Sequence, residues 1–218
     1  HSCLDLEPQD QLGGKNMWTS VNDYKQFANT FYSWTRDFSS VVYDGTHSDK
    51  RSDLSTYQSY NEFSRGINSI PSSDANYTDN YKHIRRTNLL LQNAEAYAKP
   101  EDIKQYIGEA YFFRAYSYFD LLQLYGDVII TKKPLDITDP EMKVKRNDRS
   151  EVVDLIIDDL NHAVENLPAF KELTTEEEGR ISKEGAQAFL SRVALYEGTW
   201  QKSRNGNQNT QRSANLLD

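Results

Sequence analysis

The sequence predicts an all-α fold, a layered array of helices with long inserted loops. Three observations carry that expectation. Apolar residues recur at steps of three and four along five separate stretches, which places them on one face of a helix each time. The stretch from Tyr106 to Ile130 is apolar on two faces: Ile103, Tyr106, Ile107, Ala110, Phe113, Tyr118, Leu121 and Tyr125 form one stripe, with Phe112, Tyr116 and Phe119 on the other side. A helix apolar on two faces is packed from two directions, like the middle layer of an array. Finally, Ala110, Arg114 and Tyr118 return at the same spacing as Ala188, Arg192 and Tyr196.

Taken in order, residues 1–19 read as an extended polar tether holding Pro8, Gly13 and Gly14. A helix over 20–34 follows, capped by Ser20, with Val21, Tyr24, Phe27, Ala28, Phe31 and Trp34 on one face. From Ser39 to Asn76 the periodicity weakens, and Tyr43, Tyr57, Tyr60 and Phe63 stand among polar residues. Long irregular segments in a compact domain are functional or disordered, and scattered aromatics favour function. A helix over 77–98 carries Ile84, Asn88, Leu91, Ala94 and Ala98. The aromatic helix, 100–125, opens on Pro100 with Glu101 and Asp102 in its first turn, where proline and acids suit a helix N-terminus. Arg114 lies inside it and needs a buried partner. Gly126 suits the left-handed turn that ends helices.

Residues 127–147 form a connection in which Val128 to Thr131 is extended. Asp148 and Glu151 have capping-box spacing and open a helix over 149–167, stopped by Pro168. Ser182 caps the last helix, 182–201, which carries Ala186, Phe189, Leu190, Val193 and Trp200. Residues 202–218 read as a polar linker running into the first turn of another helix, so the array is expected to continue.

Length fits one ordinary domain, or one domain and part of another. The net charge is −8, which argues against nucleic-acid binding, since that normally shows a basic surface. No apolar run is long enough to span a bilayer as a helix. Fourteen tyrosines and three tryptophans supply much of the apolar content. That composition fits contact with polar ligands and also fits extracellular helical folds in general. Cys3 is the only cysteine, so no intramolecular disulfide forms.

The Ala–Arg–Tyr echo has a companion. Leu91 and Ala94 in the preceding helix are matched by Leu160 and Ala163, so two helix pairs follow one plan about 70 to 80 residues apart. Small alanines allow close approach and aromatics fill the groove between layers, the logic of tetratricopeptide-like arrays, whose usual period is about 34 residues. Longer helices and inserted loops account for the wider period.

These residues also resemble a known family. Glu109-Ala110, Phe113-Arg114-Ala115 and Gly126-Asp127-Val128 match the signature of the SusD/RagB outer-membrane nutrient-binding lipoproteins, with Ile129 where a proline is usual. Tyr81, Ile84, Asn88, Leu90 and Leu91 match a second family run, and Gly179 to Lys183 followed by Ala186, Ala188, Arg192, Val193, Leu195 and Tyr196 a third. The resemblance covers residues 77–200 and implies a SusD-like N-terminal helical-repeat domain over 20–201, with a C-terminal half still to follow. It implies a cell-surface protein that captures a glycan or other oligomeric nutrient and passes it to a SusC-like TonB-dependent transporter. It makes Cys3 a lipid-attachment residue at the head of the tether. In such proteins the loops before the Tyr81 helix help line the ligand face. Tyr57 and Tyr60 are therefore the candidate stacking residues, with Asp49, Arg51 and Asn61 as hydroxyl partners. A planar ring offers the C–H face of a sugar a flat apolar partner.

Catalytic chemistry finds little purchase. No phosphate-cradling glycine loop and no Gly-x-Ser-x-Gly elbow is present. His1, His47, His83 and His162 lack metal-ligand spacing, and His83 and His162 read as solvated. The stretch from Asp74 to Thr78 lacks the glycine and glutamate of a calcium loop. Asp158-Asp159 and Glu176-Glu177-Glu178 read as solvated charge rather than the paired carboxylates of a glycosidase. The expectation is a binding protein that is not an enzyme and needs no cofactor or metal; the alternative is a helical-repeat scaffold for protein partners without a small-molecule ligand.

Overall fold

A computed structural model describes residues 17–35 and 74–204. Within them lie α1 (Val21–Asn29), α2 (Ala75–Glu95), α3 (Lys104–Tyr125), α4 (Arg149–Asn166) and α5 (Lys183–Arg204). All five expected helices are present, and no strand occurs among the described residues.

Local chemistry sets the ends. The Ser20 hydroxyl accepts the Asp23 N–H at 3.3 Å while the Asp23 carboxylate accepts the Ser20 N–H at 2.8 Å, a reciprocal cap that satisfies two otherwise orphaned donors. After α1 the chain tightens into a 3-10 turn over Thr30–Trp34. Another, Pro100–Ile103, leads into α3. Gly126 ends α3 with φ of +70°, where a side chain would be strained. At the start of α4 the Glu151 carboxylate accepts the Asp148 N–H at 2.9 Å. The Ser182 hydroxyl accepts the Gly185 N–H at 3.2 Å.

The helices stack in chain order, each running back along its neighbour. Tyr77 at the start of α2 meets Tyr125 at the end of α3, with ring centroids 5.3 Å apart. The start of α3 meets the end of α4 just as closely: a Cβ on Gly108 would lie 2.9 Å from Leu167 Cγ. Helix α3 is the middle layer, as its two apolar faces require. On one side Phe113 packs on Phe31, Tyr32 and Trp34. On the other, Phe112 and Phe119 meet Phe189 of α5, both at 5.5 Å.

The segment after α3 runs in extended form alongside α2, past Tyr81 and then Asn88, with a single bridge from Val128 to Asn147. An extended backbone without a strand partner must find its hydrogen bonds elsewhere. Side chains supply them. The Tyr81 hydroxyl accepts the Ile129 N–H at 2.9 Å and donates to the Ile129 carbonyl at 2.8 Å. The Tyr118 hydroxyl accepts the Thr131 N–H at 2.9 Å. Asn88 donates to the carbonyls of Thr131 and Lys133. Ile129 thus uses an N–H that the usual proline would lack.

The two copies of the internal repeat are placed differently among the described residues. Ala110, Arg114 and Tyr118 are buried, but Ala188 and Arg192 are exposed and Tyr196 is only half-buried. Arg192 makes no ion pair among the described residues. Helix α5 instead buries Ala186, Val193, Glu197 and Gln201. At about 100° per residue, Ala188 sits about 200° around the helix from Ala186. The spacing recurs, but α5 is turned so that Ala188 and Arg192 face outward, while Tyr196 meets Phe119 of α3 with ring centroids 5.3 Å apart.

Candidate functional site

Buried charge comes first, because it fixes what the rest can do. Three arginine–carboxylate pairs lie between the layers. Arg114 of α3 grips Asp159 of α4 through Nε at 2.7 Å and Nη2 at 2.6 Å, and its Nη1 donates to Asn88 of α2 at 2.8 Å. Arg180 holds Glu109 at 2.8 and 2.7 Å and also donates to Asn29. Arg149 holds Glu197 through Nε at 3.0 Å and Nη2 at 2.8 Å. Asp159 and Glu109 are 0% exposed and Glu197 is 1% exposed. Burial pushes the Asp159 and Glu109 carboxyls upward, and the guanidiniums oppose it. The double-pronged geometry on both oxygens favours the ionised pair. Each pair ties two segments far apart in sequence.

Two clefts open beside these pairs. The first, of about 270 Å³, lies between α2, α3, α4 and the Lys132–Pro134 turn. Arg114 lines it, and Tyr111 and His162 form one wall, with ring centroids 4.9 Å apart and 29° between planes. Gln92, Glu95, Lys132 and Asp158 stand at its exposed rim. The second, about 600 Å³ and wider, is lined by Tyr125, Asp127, Lys145, Arg146, Arg149 and Trp200. Arg149 lies 4.0 Å from the Trp200 ring centroid, within cation–π range.

The expected burial and pairing of Arg114 are borne out. Several other expectations change. Arg192 has no counterpart to the Asp159 pair. His83 and His162 are not merely solvated: His83 is half-buried and stacks on Trp34 at 4.1 Å and 16°, and burial lowers its pKa to about 4. His162 stacks on Tyr111. Asp159, read as solvated charge, is the most buried kind of carboxylate. Asp49, Arg51, Tyr57, Tyr60, Asn61 and Cys3 lie outside the described residues. The Glu109–Arg180 and Arg149–Glu197 pairs and the first cleft were not anticipated. Glu109 carried a signal, since a carboxylate amid an apolar helix needs a partner as Arg114 does.

Comparison with known proteins fits this architecture. A SusD-like family model, described as starch-binding associating with outer membrane, matches residues 4–195. The chain belongs to the SusD-like family. SusD-like protein P38 of Formosa agariphila is 27% identical over 207 residues, covering 89% of this chain and 39% of that protein. The crystal structure of a SusD-like protein from Bacteroides fragilis superposes with a TM-score of 0.74 at 26% identity, over 96% of this chain and 40% of that one. A laminarin-binding SusD-like protein matches 69% of this chain and 34% of its own, with TM-score 0.55 and 29% identity. The chain therefore spans about two fifths of these SusD-like relatives. The signature residues Glu109, Arg114, Tyr81 and Asn88, with Tyr118 of the repeat, act in this SusD-like chain as the pairs and props of its scaffold.

Proposed function

We propose that this chain is the helical-repeat part of a cell-surface SusD-like binding protein that captures a glycan or another oligomeric nutrient. It would deliver the ligand to a SusC-like TonB-dependent transporter in the outer membrane, without chemistry on the ligand. The observation that carries this reading is the family match across residues 4–195 together with the SusD-like fold. One structural relative binds laminarin, a polysaccharide, which makes a glycan the first ligand class to test. Among the described residues no cluster of histidine, cysteine or acidic side chains has metal-site geometry.

Attachment would run through a lipid on Cys3, with residues 1–19 as the tether and 202–218 leading into the remaining part. With a native signal in place, the protein should partition into detergent, and Cys3→Ser should release it. Tyr57 and Tyr60 are proposed to stack on sugar rings, with Asp49, Arg51 and Asn61 bonding hydroxyls. Calorimetry with oligosaccharides should show weaker binding for Tyr57→Ala and Tyr60→Ala in the full-length protein at nearly unchanged melting temperature. Lost stability with unchanged affinity would instead assign both rings to the core.

A further inference from the structure

We propose that the cleft between α2, α3 and α4 is a subsite for one neutral sugar ring of the captured glycan. The inference rests on the glycan-binding reading and adds a site within the described helices. Its floor is Arg114, only 4% exposed. A guanidinium has five N–H donors; three are engaged by Asp159 and Asn88, and Arg114 lines the cleft with two donors uncommitted to either. Because Asp159 and Asn88 lock the guanidinium, a ligand oxygen meets a donor whose ordering cost is already met by folding. Tyr111 lines the wall with its ring held between neighbours, His162 stacked on it and the Arg114 guanidinium over it at 5.3 Å, and its hydroxyl makes no hydrogen bond to a described residue.

The rim decides the chemical class. A sugar hydroxyl both donates and accepts, so its site needs both kinds of partner. Lys132 and Gln92 donate, and Glu95 and Asp158 accept. An acidic sugar fits worse. Lys133 is drawn towards Glu141 at 2.7 Å, so a carboxylate or sulfate would meet two rim carboxylates with Lys132 as the nearer cation. At about 270 Å³, the space suits one ring of a chain rather than an extended oligosaccharide.

The test is a nuclear magnetic resonance titration of the whole chain with glucose, galactose and mannose at millimolar concentrations, alongside glucuronate and galacturonate. At least one neutral hexose should shift the amides around Tyr111, Lys132 and Asp158, and its uronate should bind more weakly. Lys132→Ala and Asp158→Asn, both exposed positions that leave the core intact, should each weaken binding about tenfold, the equivalent of about 1.4 kcal/mol. Lys145→Ala in the other cleft should leave it unchanged. Silence at the cleft with every hexose, shifts that survive both variants, or preference for the uronates would overturn the subsite. If oligosaccharides bind the full-length protein while the cleft stays silent, the subsite alone fails. If no oligosaccharide binds at all, the glycan-binding reading fails with it.

Discussion

Arg114 and Arg192 occupy the same place in the same spacing pattern, four residues after an alanine and four before a tyrosine, yet they live in opposite environments. Arg114 is 4% exposed and gripped by Asp159 at 2.6 and 2.7 Å. Arg192 is exposed, with Ala188 beside it. The difference is one of helix rotation and layer position. Helix α3 is packed from two sides, whereas α5 meets α4 and the Phe112–Phe119 face of α3 with the side that holds Ala186, Phe189, Val193, Tyr196 and Glu197. Spacing along a sequence specifies which residues share a face. It does not specify which face is turned inward when a helix carries apolar residues on several.

That comparison can be broken by experiment, and the largest effect belongs to the buried pair. Asp159→Ala strands the Arg114 guanidinium, and urea unfolding should show a loss of about 3–5 kcal/mol. Unchanged stability would mean the guanidinium reaches water. Next comes the ladder of side chains that carries the extended segment. Tyr81→Phe leaves the Ile129 N–H and carbonyl without their partner, and the same measurement should show a loss of about 1–3 kcal/mol. A smaller effect follows from His83. Its pKa is lowered to about 4 by burial, against about 6.5 when unfolded. Below pH 6.5 the unfolded chain takes up the proton first, so this contribution to stability is lost as pH falls from 6.5 towards 4 and is fully present above 6.5. His83→Gln should flatten the stability–pH curve across that window. Trp34 stacks on the imidazole, and Asp79, Lys82 and Arg86 are the charged groups beside it.

Helix ends were legible because their chemistry is local. Ser20 before α1, Pro100 before α3, Gly126 after it, and Asp148 with Glu151 each act within a few residues. The two-faced helix was legible too, since its aromatics are too many for one face. The identity of Arg114's partner was not. Asp159 lies 45 residues away beside an identical but exposed Asp158, and only the rotation of α4 tells them apart. The first cleft was invisible for the same reason. It gathers Tyr111, Lys132 and Asp158 from three segments, and each alone resembles an ordinary surface residue. Tyr81 and Asn88 stood out as family residues and Tyr118 as a residue of the repeat, but their task depends on where the Val128–Thr131 backbone passes.

The matched pair of arginines offers the most direct measurement. Equilibrium urea unfolding of Arg114→Met and Arg192→Met, made separately in the same chain, compares one spacing in two environments. Arg114→Met leaves Asp159 buried without its partner and should cost about 3–5 kcal/mol. Arg192→Met should stay within about 0.5 kcal/mol of the parent. Equal losses from the two substitutions would contradict the account and restore the second copy of the repeat to the core.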